Sequence, residues 1–283
     1  MGQTRRALRL GRASWDIVSG DLALLALPAM SAVSILCLAA LFLVPTGVLA
    51  DAAHSQTDLF IGGALAAYPL VFTGIFFRFA FVVVVAGRLD GRDTSIRDGL
   101  EIAWNRRASI AQWAVIASLA AVLIRGLRQV PLLGGLAGSI ASTVLGIAWG
   151  AVTFFVVPVI AFEGTTGRRA AERSASLFRE RWGFEAVGTA SIAGVVALAI
   201  LGGCAVMVFA LVLVHSSAVA VAVLVCTFVL GLIGALLAAT AVQQAFGLVL
   251  YRYATGRPLP PGFSEEDMRR VVRPKRRRRL FGG

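Results

Sequence analysis

The stretch "TGIFFRFAFVVVVAG", residues 73–87, decides the fold. All of its residues but Arg78 suit the interior of a lipid bilayer. The apolar run reaches back to about residue 59, past the roughly 18 residues that mark a membrane-spanning helix. Composition agrees: 58% of the 283 residues are hydrophobic and only 15% charged, against about 25% charged in soluble domains. Mean hydropathy is +0.82. The expected class is an all-α integral membrane protein.

Six apolar segments stand out, at about 22–49, 59–86, 109–124, 139–162, 188–214 and 218–250. They divide the chain into an N-terminal segment 1–21, a six-helix transmembrane domain 22–250 and a tail 251–283. A cleavable signal is not expected, because the run from Leu22 to Ala50 is about twice the length of a signal-peptide apolar region.

The formal net charge of +12 invites a nucleic-acid reading, but the positions of the cations favour a membrane one. The connections 1–21, 87–108, 163–187 and 251–283 carry 24 Lys and Arg, and the alternate connections carry two, Arg125 and Arg128. The positive-inside rule then puts both termini in the cytoplasm. Arg78 is the one cation left inside a span.

Three of the basic segments read as amphipathic helices lying at the membrane surface. Their stripes are Leu8, Trp15 and Val18; Ile96, Leu100, Ala103 and Trp104; and Ala171, Ala175, Phe178 and Trp182. Thr94 or Ser95 caps the second, with Asp98 close behind. The chain then reads as three helical hairpins, each preceded by an interfacial helix.

Two stretches, "TFFVVPVIAFEGTTGRRAAERSASLFRERWG" (153–183) and "RLDGRDTSIRDGLEIAWNRRASIAQWAVIA" (88–117), resemble the signature of an uncharacterised prokaryotic integral-membrane family, a domain of unknown function. The resemblance covers most of residues 10–255 and implies no activity. The plan is also loosely similar to the membrane region attached to some glycerophosphodiester phosphodiesterases, whose catalytic domain has no counterpart here.

Catalytic patterns do not emerge. His54 and His215 lack a Cys, Asp or Glu cluster at metal spacing, and no nucleophile elbow or HExxH pattern occurs. No catalytic, cofactor-binding or metal site is therefore assigned. None of the 15 acidic residues lies deep in a span, which weakens an ion-coupled transporter. Cys37, Cys204 and Cys226 read as buried small hydrophobes.

Arg78 lies ten residues before Arg88, roughly 15 Å down a helix rising 1.5 Å per residue, which approaches the bilayer midplane. A cation there needs acceptors. Thr153, Gln243 and Gln244 lie at similar depth in other spans, so the expectation is a polar cluster of Arg78, Thr153, Gln243 and Gln244. Its alternatives are local pairing of these residues and an Arg78 side chain that snorkels to water. Pro28, Pro69 and Pro158 are expected to kink their helices. Gly146, Gly150, Gly231 and Gly234 are expected to allow close helix contact.

In the tail, Arg269, Arg270, Arg273, Lys275, Arg276, Arg277, Arg278 and Arg279 are expected to contact anionic lipid headgroups, at about 1 kcal/mol each near the surface. The functional expectation is a non-enzymatic membrane protein of assembly, scaffolding or organisation. The alternative is a transporter or flippase-like carrier of an anionic or amphipathic solute, using the cluster around Arg78.

Overall fold

The computed structural model describes residues 12–53, 56–126, 136–181, 218–263 and 265. Among these residues every regular element is a helix. Residues 12–19 form α1, and a 3-10 turn, Leu22–Leu25, leads into α2, Ala26–Ala53. The others are α3 (Gln56–Leu89), α4 (Ile96–Asn105), α5 (Arg107–Gly126), α6 (Leu136–Thr153), α7 (Val156–Glu163), α8 (Gly167–Arg181) and α9 (Ala218–Ala254).

Five spans long and apolar enough to cross a membrane are present: Ala23–Phe42, Gly62–Leu89, Arg107–Gly126, Gly138–Glu163 and Val221–Ala254. They match five of the six expected segments. The sixth, 188–214, lies outside the described residues, as do Trp182, His54, His215, Cys204, Leu8, Arg128 and the basic run 269–279.

The helices meet most closely at one end, where α2, α5 and α8 begin and α3, α7 and α9 finish. We call it the basic end, since Arg88, Arg92, Arg106, Arg173 and Arg252 all lie there. Its core holds Phe79, Phe81, Val84 and Val85 of α3, Val156 and Ile160 of α7, and Ala245, Leu248 and Tyr251 of α9, each nearly or fully buried. The short polar helices α1, α4 and α8 pack around these ends and form a collar, contributing the buried Val18, Ala103, Ala170 and Leu177. Toward the far end the spans are outward-facing. Leu36, Leu65, Leu123, Ile140 and Leu230 are all exposed there, as lipid-facing side chains should be.

The amphipathic helices form as expected, but their contacts differ from the expected stripes. In α4 the capping residue is Ser95: its hydroxyl accepts from Asp98 N–H, and Asp98 accepts from Ser95 N–H at 2.9 Å. Gly99 and Ala103 face inward, while Trp104 points out. In α1, Ser14 and Val18 are buried and Trp15 is exposed. The tryptophans sit beside the packing stripe, where an amphipathic ring meets both water and lipid. In α8 the buried positions are Ala170, Ser174 and Leu177, with Ala171 and Phe178 packed at their margin.

Other expectations need correction. Pro28 occupies the first turn of a helix, where the missing N–H has no intrahelical acceptor to lose. Of the other two, Pro69 lies inside α3, and Pro158 follows a break between α6 and α7. Outside its own helix, no described atom lies within 4 Å of a Cβ built on Gly146, Gly150, Gly231 or Gly234. Close approach occurs instead at Gly99, where an added Cβ would stand 2.4 Å from Val84 Cγ2 and 3.0 Å from the Ala80 carbonyl oxygen. Glycine there lets α4 lie directly on α3. Cys37 and Cys226 are exposed rather than buried, on the outward faces of α2 and α9.

Candidate functional site

Two polar places interrupt the apolar bundle, and the more elaborate is the junction between α6 and α7. Pro158 has no N–H for the carbonyl four residues back, that of Phe154, and its ring crowds that position. The helix breaks at Phe154–Phe155, which strands backbone groups in an apolar setting. Ser174 of α8 fills the gap. Its fully buried hydroxyl donates to the Val152 carbonyl at 2.6 Å and accepts from Phe155 N–H at 3.0 Å.

Five residues on, α7 ends at Glu163, with Gly164 in the left-handed region (φ 68°). Glu163 accepts from Arg173 Nε at 2.9 Å and from the Tyr251 hydroxyl at 3.1 Å. Tyr251 stacks on Phe162 at 5.8 Å between ring centroids, and the Arg257 guanidinium lies 5.3 Å from the Phe162 ring. Residues far apart in "TFFVVP…EG…RS" thus meet at one junction that ties α7 to α8 and α9.

Beside it, Arg252 is buried and donates to the Ala86 carbonyl at 3.1 Å and to Asp90 at 2.6 Å. Arg88 pairs with Asp21, the residue that also caps the 3-10 turn. Burial opposes ionisation of Asp90, but hydrogen bonds and charge from Arg252, then Arg92, outweigh it and hold the carboxyl below its ordinary range. Asp98 is also held below that range, by the Ser95 backbone N–H first and then its hydroxyl. These ties require folded partners from distant segments, and only the density of arginine near the span ends hinted at them.

The second place is a half-open cleft of about 260 Å³ between α2, α3 and α9. Arg78 and Gln244 both line it, with Ser31 and Thr240. Arg78 Nε and Gln244 Oε1 are buried and have no hydrogen-bond partner among the described residues. Of the four residues expected to cluster, the cleft brings together these two. The Thr153 hydroxyl donates to the Trp149 carbonyl of its own helix at 2.7 Å, and Gln243 is exposed on α9. Neither lines the cleft. Local back-bonding satisfies threonine without a tertiary partner, and one residue's step around a helix, about 100°, separates Gln243 from Gln244.

Among the described residues no group of three or more His, Cys, Asp or Glu is arranged to hold a metal ion. No curated protein and no solved structure matches the chain. The model of a family of unknown function, DUF6159, matches residues 64–258, which take in the α6–α7 junction, Arg78 and Gln244, and the chain belongs to that family.

Proposed function

We propose that the chain is a multi-pass protein of a prokaryotic plasma membrane with its basic end and both termini in the cytoplasm. In this reading it is non-enzymatic and serves membrane assembly, scaffolding or organisation. The observation that carries it is the use of charge at the basic end. Arg88, Arg173 and Arg252 are each tied to a carboxylate on another element, so these charges build a fixed collar. The basic run 269–279 would add adhesion to anionic headgroups beside it. The Arg78–Gln244 cleft favours a second reading, a carrier of an anionic or amphipathic solute.

Two measurements test this. In intact cells of a variant whose native cysteines are replaced, a membrane-impermeant maleimide should label a cysteine at Arg128 and spare one at Arg92; the opposite pattern overturns the orientation. In proteoliposomes holding fluorescent phosphatidylglycerol, dithionite should bleach no more lipid than in protein-free vesicles. Faster bleaching that Arg78→Gln abolishes would replace the organising reading with the carrier one.

A further inference from the structure

We propose that the cleft at Arg78 binds one phospholipid from the basic-end leaflet, with its phosphate on the Arg78 guanidinium and its acyl chains along α2 and α9. The inference rests on the membrane orientation given above and goes beyond the organising role by naming a ligand.

Depth is the first argument. The helices α3 and α9 have 34 and 37 residues, about 51 and 55 Å at 1.5 Å per residue, well beyond a hydrocarbon core of ~30 Å. Measured from their far ends, Leu59–Phe77, which follows the charged Asp58, and Ala218–Thr240 already account for that core, at roughly 28 and 35 Å. The next polar residues are Arg78 on α3 and Gln243 and Gln244 on α9. The 20 residues of α5, beginning at Arg107, and the 18 of α6, ending at Thr153, also fit a span of about 27–30 Å. These polar residues therefore share one level, the headgroup boundary, and Arg78 does not lie at the midplane.

The collar gives the same level independently. Helix α4 lies on Ala80 and Val84 through Gly99, and it carries the exposed Arg97, Asp98 and Glu101. Those charges need water, so water reaches α3 within about a turn of Arg78. At the lower end of α4, the exposed Trp104 has the Arg107 guanidinium 5.1 Å from its ring, an arrangement suited to the membrane interface.

Chemistry is the second argument. A cation with a buried donor, Arg78 Nε, and an amide with a buried acceptor, Gln244 Oε1, share one cleft and lack partners among the described residues. A phosphodiester supplies acceptors for the guanidinium, and a hydroxylated or ammonium headgroup supplies a donor for the amide. Apart from Ser31 and Thr240, the remaining wall, including Ile35, Phe77, Leu236 and Leu237, is apolar and suits acyl chains. The neighbouring Leu36 and Ile233 are exposed, so the cleft borders the lipid-facing surface.

The test is native mass spectrometry of the full-length protein, delipidated in detergent and titrated with palmitoyl-oleoyl-phosphatidylglycerol or the matching phosphatidylcholine. Wild type should retain one phosphatidylglycerol. Arg78→Gln should bind it about tenfold or more weakly, the loss expected for one charge-assisted hydrogen bond. Arg125→Gln, at the far end, should bind as wild type does. If Arg78→Gln lowers the melting temperature too far to be read, Ser31→Leu, which intrudes into the cleft and leaves Arg78 in place, should produce the same loss. Undiminished binding in a folded Arg78→Gln, or in Ser31→Leu where only that variant can be read, would overturn the proposal. So would equal retention of phosphatidylcholine and phosphatidylglycerol. Displacement by equimolar glycerol phosphate would mark a soluble-anion site and overturn the lipid assignment. Maleimide labelling tests the orientation separately, so failure of either is distinguishable.

Discussion

Helix α9 carries two regions of the molecule on one rod. Between Val221 and Thr240 most of its aliphatic side chains point outward, with Leu230 69% and Ile233 48% exposed. Between Ala241 and Tyr251, Ala241, Ala245, Leu248 and Val249 are almost wholly covered. Both halves are rich in Ala, Val and Leu, so hydropathy does not distinguish them. The difference is what surrounds them. In the first, lipid is as apolar as leucine and helices gain little by hiding side chains from it. In the second, α3, the 3-10 turn, α7 and α8 supply close packing, and dispersion and burial both favour the contact. The bundle is therefore anchored at its collar.

Substitutions that leave composition almost unchanged can sharpen this contrast. Leu248→Ala, in the collar, should cost about 2–5 kcal/mol, the usual range for a buried leucine, read as a loss of stability in detergent unfolding. Ser174→Ala should cost roughly 2–4 kcal/mol, because two buried backbone groups lose their partner together; equal stability would show that the α6–α7 break is satisfied another way. Acid should loosen the collar as well. Since the Asp90 carboxyl is depressed in the fold, its contribution is present above the unfolded value of about 4 and is lost as pH falls through the folded value. Asp90→Asn should therefore flatten the fall in melting temperature below about pH 4. The smallest effect belongs to Leu230→Ala, within about 0.5 kcal/mol. A cost there near that of Leu248→Ala would break the comparison.

Much of this architecture was legible from residue order. The described spans and the Ser95–Asp98 capping box follow from apolar length and local hydrogen-bond geometry, which need no distant partner. The candidate sites were only half legible. Arg78 was conspicuous as a cation in a span, and Gln244 could be matched to it by depth. Depth says nothing of azimuth, however, so Gln243 and Thr153 looked equally suitable until the helices were oriented. Pro158 was visible as a breaker, but its consequence lay in Ser174, sixteen positions on, on a helix that must first fold back.

By itself, the sequence determined a helical chain with segments long and apolar enough to cross a membrane, because a backbone in lipid must satisfy its hydrogen bonds within each helix, which constrains composition and order. Only the tertiary structure decided which apolar residues face protein, which arginines are tied in pairs, and that Arg78 shares a cleft with Gln244. Those outcomes depend on helix rotation and on partners brought from remote segments, which no linear spacing records.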